Sequence, residues 1–171
     1  ITIITVVKNN EKFLEKTILS VINQNYKHIE YILIDGGSTD KTLEYASAIS
    51  GIRVFQLSSE FKGKGEAFKF GIQKAKGNII VSFPSDLEYN TEDIRKIVNP
   101  IVNNESQVVF GSRSIKCLNI DKRISEIYKG NRILYMISKY GGLLLSICCL
   151  IFYNRYISDP LSSVKGYNAN L

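Results

Sequence analysis

The sequence predicts an α/β domain, a Rossmann-like three-layer sandwich with a mostly parallel central sheet. Two observations carry that prediction. Short β-branched and aliphatic runs are apolar throughout instead of alternating, the pattern of strands buried on both faces. Between them stand segments of helical length with apolar residues at helical spacing, so consecutive strands are joined by right-handed crossover helices. At 171 residues and 44% apolar content the chain suits one domain with ample material for a core.

Ile1 to Val7 (ITIITVV) is the first such run and reads as a central strand. Asn9 or Asn10 is placed to cap the next helix, whose Leu14, Ile18, Val21 and Ile22 share a face. Ile29 to Asp35 (IEYILID) is the second strand, closed by Gly36-Gly37-Ser38-Thr39-Asp40. Asp40 is expected to cap a helix carrying Leu43, Ala46 and Ile49. Ile52 to Leu57 is a third strand, and the loop from Ser58 to Gly65 holds Gly63-Lys64-Gly65. Phe68, Gly71, Ile72 and Ala75 mark another helix. Asn78 to Phe83 is the fourth strand and breaks at Pro84, with Ser85, Asp86, Leu87 and Glu88 directly after it. Thr91 is expected to cap a helix through Val102, and Gln107 to Gly111 to form the fifth strand ahead of Ser112-Arg113.

The last third changes character. Ile115 to Arg132 is polar and cationic, and Ile133 to Tyr153 is strongly apolar, interrupted by Lys139 and Gly141-Gly142. Its most apolar part, Leu143 to Tyr153, falls short of the ~20 apolar residues of a bilayer span. A buried core helix is the first expectation; a helix lying in a membrane interface beside the neighbouring cations is the alternative. A net charge of +6 suits phosphate-bearing ligands or an anionic membrane surface. Without a basic run interleaved with aromatics, nucleic acid is not an expected partner. Cys117, Cys148 and Cys149 lack metal-ligand spacing and read as reduced thiols. The start on an apolar run and the stop soon after a motif predict that residues 1–171 are a single catalytic domain of a longer chain. Its expected location is the cytoplasm or the cytoplasmic face of a membrane.

Chemistry-bearing residues gather at the strand ends, where ligands of open α/β sheets bind. Asp86 and Glu88, two apart in an extended segment, present carboxylates to the same side. Such a pair suits a hard cation whose shell is completed by substrate phosphates, and it is equally the makeup of a solvated acidic turn. Asp35, beside two glycines, can accept from ribose hydroxyls or a base N–H, or can stabilise its own turn. Lys64 between glycines suits a phosphate or sugar hydroxyl, and the planar fork of Arg113 suits a diphosphate. Asp35, Asp86 with Glu88, and Arg113 are expected to open on one sheet edge.

With these pieces assembled, the chain resembles the inverting nucleotide-sugar glycosyltransferases of the GT-A fold. The resemblance is to the large family that includes polyprenyl-phosphate (dolichyl-phosphate-type) sugar transferases and polysaccharide-building enzymes. ITIITVVKNNE, IEYILIDGGSTDKT, GKGEAFKFGIQKAKGNIIVSFPSDLEYN, VVFGSR and SDPLSSVKGY carry it in the family's order, and DGGSTD is the most specific. The resemblance implies a donor pocket that includes Thr5, Val7, Asp35, Gly36 and Ser85, with Asp35 on the uracil or ribose and Lys64 near the donor. It implies that Asp86 is the metal-binding Asp of the family's DxD motif, joined by Glu88, with Mg²⁺ or Mn²⁺ as cofactor. Arg113 would meet the diphosphate or the acceptor. Two departures stand out: Pro84 replaces the first acid of DxD, and Val6-Val7-Lys8 replaces the Pro or aromatic residue common in the opening motif.

The implied reaction moves a sugar from a nucleoside diphosphate, UDP favoured, with inversion. A lipid-phosphate acceptor is already anionic and needs no base, whereas a sugar hydroxyl needs a carboxylate, for which Asp159 is the candidate with Asp121 behind it. SDPLSSVKGY, after a cationic segment and an apolar helix, inclines the reading to polyprenyl phosphate. A hydroxyl acceptor in cell-surface polysaccharide synthesis is the alternative. A nucleotidyltransferase would need an early glycine-rich triphosphate segment that ITIITVVKNN lacks, and a Rossmann dehydrogenase would need GxGxxG after the first strand. Pro84 leaves open a degenerate nucleotide-binding module without catalysis.

Overall fold

The computed structural model describes residues 1–26, 28–58, 63–85, 90, 92–112 and 131–171. Six strands form one sheet: β1 (Thr2–Val7), β2 (Glu30–Asp35), β3 (Arg53–Gln56), β4 (Ile79–Ser82), β5 (Val108–Phe110) and β6 (Lys165–Asn168). The helices are α1 (Glu11–Ile22), α2 (Thr42–Ala48), α3 (Lys64–Lys74), α4 (Glu92–Val102) and α5 (Arg132–Tyr153). Strand order is β3-β2-β1-β4-β6-β5. β1 pairs in parallel with β2 and β4, and β2 with β3, whereas β6 runs antiparallel to β4. The mostly parallel α/β sheet is therefore as expected.

The uniform apolar runs are explained by the two layers that cover the sheet. Ile3, Val7, Tyr31, Leu33 and Val81 face α1 (Leu14, Ile18, Val21), Ala46 of α2, and α4 (Ile94, Ile97, Val98). On the other side Ile4, Ile32, Ile34 and Ile80 meet Ala67 of α3, with Phe68 and Phe70 packed alongside. α3 approaches closely through Gly71, where a Cβ would lie 2.8 Å from Ile4 Cγ2. The strands are a residue or more shorter at their ends than the apolar runs that announce them.

One strand goes beyond the expected five. The sequence of β6, KGYN, has no apolar run, and its strand character comes from pairing with β4 from Ile79↔Asn168 to Ser82↔Lys165. Gly166 is what admits it beneath α4, since a Cβ there would lie 2.5 Å from Ile97 Cγ2.

The chain separates into two compact units, Ile1–Val109 with Ser163–Leu171, and Phe110–Ser162. The second contains α5, and α5 corrects the expectation of a buried core helix. Of its residues only Ser146 is buried, while Ile133, Ile137, Leu144, Ile151 and Phe152 are each more than 60% exposed. The physical reason lies in its pattern: polar and small side chains, not the large apolar ones, form its covered stripe. Its length corrects a second point. Spanning 22 residues, it is long and apolar enough to cross a membrane by length and composition, which the shorter Leu143–Tyr153 window conceals.

Candidate active site

The chain runs outward from β1 through β2 to β3, then returns to place β4 on the other side of β1. That reversal is the topological switch point, beyond whose carboxyl ends open α/β sheets bind ligands. The carboxyl ends of β2 and β4 flank β1 and are two strand spacings, about 10 Å, apart. Three segments therefore meet at the rim: residues 8–10, 36–42 and 83–85.

Asp35 closes β2, opposite Val7 in register, and is fully buried. Its carboxylate accepts from the Gly37 N–H (3.2 Å), the Ser38 N–H (3.0 Å) and, at short range, the Ser38 hydroxyl. It is the hub of its own turn. Gly37 requires glycine, having φ of +80°. The half-buried Gly36 extends the pairing of β1 and β2 by donating to the Val7 carbonyl at 2.9 Å.

Thr5 and Val7 are both buried, at 0% and 2% exposure, so their side chains line core and not rim. The Thr5 hydroxyl donates to the Phe83 carbonyl (2.7 Å) and accepts from the Tyr31 phenol (3.0 Å). Burial pushes the Tyr31 phenol up to about 12, against the opposing effect of the Thr5 hydrogen bond. It remains a protonated donor across the physiological range.

The asparagine pair corrects another expectation. Asn10 occupies the N-cap position of α1, yet its side chain makes no capping bond. Its Nδ2 instead donates to the Ser85 carbonyl (2.9 Å) and hydroxyl (2.8 Å), and the Thr17 hydroxyl reaches the same carbonyl at 3.3 Å. Asn9 adopts a left-handed backbone (φ 51°), its N–H donating to the Ser38 hydroxyl (2.9 Å) and its Oδ1 accepting from the Thr39 N–H (2.8 Å). The Asn10 N–H donates to the Thr42 hydroxyl at 2.8 Å. Side chains of one loop thus lace the ends of β1, β2 and β4 together. Asp40 does serve α2, though from the residue before its N-cap Lys41, accepting from the Thr42 N–H at 3.0 Å. Hydrogen bonding from the Thr42 side chain, then from backbone N–H groups, holds its carboxyl below the usual range.

Ser85 is buried and held as described, so the fourth strand delivers the chain to a fixed point one residue before Asp86. Asp86, Glu88, Arg113, Asp121 and the expected cap Thr91 lie outside the described residues. Asn90 supplies a capping bond for α4, its Oδ1 accepting from the Glu92 N–H at 3.1 Å. Lys64 is exposed and opens α3 behind Gly63, whose φ is +90°. Asp159 belongs to the second unit, where its carbonyl accepts from the Ser162 N–H at 3.1 Å. Among the described residues no group of three or more His, Cys, Asp or Glu is placed to hold a metal. Sequence reasoning missed Asn9, Asn10, Thr17 and Ser38 as site-building residues. Their signal was an asparagine pair directly after a buried strand.

Residues 2–161 match the model of Glycosyl transferase family 2. An uncharacterized glycosyltransferase of Haemophilus influenzae is 32% identical over 77% of this chain and 58% of its own length. A UDP-N-acetylglucosamine–dolichyl-phosphate N-acetylglucosaminyltransferase of Methanococcus voltae is 26% identical over 94% of this chain and 66% of its own. The chain thus spans less than two thirds of either relative. Glucosyl-3-phosphoglycerate synthase of Mycobacterium tuberculosis, solved with Mn²⁺, UDP-glucose and phosphoglyceric acid, superposes with a TM-score of 0.69. That match covers 99% of this chain and 56% of the other at 22% identity, and shows a shared GT-A fold.

Proposed function

The chain belongs to glycosyl transferase family 2, and on that premise we propose that it moves a sugar from a UDP-sugar to an acceptor, inverting the anomeric carbon. The observation that carries this reading is the lacing of three strand ends at the switch point by Asn9 and Asn10. In the proposal residues 1–171 hold the catalytic region, working in the cytoplasm or at the cytoplasmic face of a membrane.

Each residue has a defined task. The turn built on Asp35 presents Gly36 and Gly37, free of side chains, to the uracil or ribose, while Thr5 and Val7 support the strand end from within the core. Ser85, pinned by Asn10, fixes where the acidic segment leaves the sheet. The carboxylates of Asp86 and Glu88 are oxygen donors of the kind Mg²⁺ and Mn²⁺ take, so the donor set fits a hard cation even with Pro84 in place of the first acid. When bound, such a cation draws charge from the diphosphate oxygens of the leaving group. Arg113 offers its guanidinium fork to the same diphosphate, and Lys64 a cation near the donor.

The acceptor favoured here is a polyprenyl phosphate, already ionised and in no need of a base. Exposure of the apolar α5 favours it. For a hydroxyl acceptor Asp159 takes the proton.

Titrating UDP by calorimetry with and without Mn²⁺ tests the reading, together with turnover on detergent-solubilised polyprenyl phosphate. Metal-dependent UDP binding is expected, with turnover abolished in Asp86→Ala while the fold persists. Nucleotide affinity indifferent to metal would assign a non-catalytic module, and activity confined to soluble sugars would assign a hydroxyl acceptor.

A further inference from the structure

α5 is built inside out. A helix on the surface of a water-soluble protein hides its apolar face and shows its polar one. Here Ser138, Gly142, Ser146 and Cys149, at spacings of three and four along the helix, are among its covered or half-covered positions, together with Tyr135, Lys139, Gly141 and Cys148. Outward-facing instead are large aliphatic and aromatic side chains, Leu144 at 61%, Ile151 at 70% and Phe152 at 76% exposure. The Ser146 hydroxyl is satisfied within the helix by the Gly142 carbonyl at 3.0 Å.

The charge of the same unit says what the exposed face meets. Residues 110–162 hold eight Lys and Arg against three Asp and Glu, a net +5 out of +6 for the whole chain. Cations flank the helix as Arg132 and Arg155, and Lys139 sits against the rings of Tyr135 and Tyr140 at 5.7 and 5.8 Å. Tyrosine and lysine at the edge of an apolar surface are the mark of a membrane interface.

Chain connectivity then separates lying in a bilayer from crossing it. α5 is long enough to span, at 22 residues. It follows β5 and precedes β6, however, and these are neighbours in one sheet, joined where the Asn168 N–H donates to the Gln107 carbonyl at 2.9 Å. Crossing would oblige one of the two connections to the sheet, residues 111–131 with their many cations or residues 154–164 with Arg155, Ser158 and Asp159, to run through hydrocarbon. A polar segment in extended form does not do that.

We propose that α5 lies in the interfacial plane of an anionic phospholipid bilayer, its apolar face in the acyl region and Arg132, Lys139 and Arg155 against the headgroups. The inference rests on the lipid-acceptor reading only in giving it a place to work; the docking itself needs no catalysis.

Tryptophan, absent from the 171 residues, provides the test. It is introduced singly by Leu144→Trp or Ile151→Trp, with Val102→Trp on α4 as control. The proteins are mixed with vesicles of pure phosphatidylcholine or of phosphatidylcholine containing phosphatidylglycerol. The two α5 reporters are expected to shift to the blue and to be quenched by brominated acyl chains in anionic vesicles. High salt and neutral vesicles should weaken the effect at least several-fold, and Val102→Trp should not respond. No response of either α5 reporter would overturn the proposal. So would a blue shift without lipid that grows with protein concentration, because a second copy would then cover the helix. UDP binding on the same samples keeps the readings apart: binding without insertion sinks only the docking, and insertion without binding only the donor assignment.

Discussion

Asn10 joins the architecture of the rim to its chemistry. Its side-chain amide makes two hydrogen bonds to Ser85, so Asn10→Ala leaves the Ser85 hydroxyl without that donor and its carbonyl, among the described residues, with Thr17. The expected cost is about 1–2 kcal/mol in urea unfolding, with a larger proportional fall in kcat than in UDP affinity. Asn10→Asp should be worse, since a carboxylate would face the Ser85 carbonyl. Tyr31→Phe is a contrasting case at the same scale. It removes one bond to Thr5, so a loss of about 1 kcal/mol in stability is expected with UDP affinity unchanged. Had the roles been visible in the sequence, these residues would have been named first. Asn10 was hidden because asparagine after a strand serves a helix cap and a tertiary hydrogen bond equally well. Asp35 was legible as a strand-end acid, and the structure adds that its oxygens are spent on Gly37 and Ser38.

Among elements, the edge of the sheet away from the rim is locked by Glu30. From β2 it accepts from the Thr2 hydroxyl of β1, pairs closely with Arg53 of β3, and accepts from the Lys76 N–H after α3 at 2.8 Å. Burial raises its carboxyl, but the hydrogen bonds from Thr2, Lys76 and Arg53 together outweigh it, leaving the folded value lowered. A lowered folded value means that the stabilisation is present above the unfolded carboxyl range, near ~4.3, and is lost as pH falls through the folded value. Glu30→Gln should therefore flatten the acid limb of a plot of urea midpoint against pH, with least effect at the lowest pH. Gly71 tests the packing of α3 on β1. Gly71→Val must displace Ile4, and an overpacking loss of about 1–3 kcal/mol is expected in thermal unfolding. The apolar, β-branched sequences of β1, β2 and β4 made them readable as strands. β6 was not, because KGYN becomes a strand only through its partner β4.

At the scale of the whole molecule, one unit carries the switch point and the other nearly all of the net charge. The doubly wound sheet was legible because alternating strand and helix signals admit few topologies. The setting of α5 was not, because burial depends on what surrounds a helix and its own sequence permits several surroundings. The central claim, that the carboxyl ends of β1, β2 and β4 form the nucleotide site, is most directly tested by amide hydrogen exchange with and without UDP and Mn²⁺. Slower exchange is predicted at the amides of Asn9, Asn10 and Gly36 to Ser38, with β6 unchanged. Protection confined to segments away from that rim, or none at saturating nucleotide, would contradict the account.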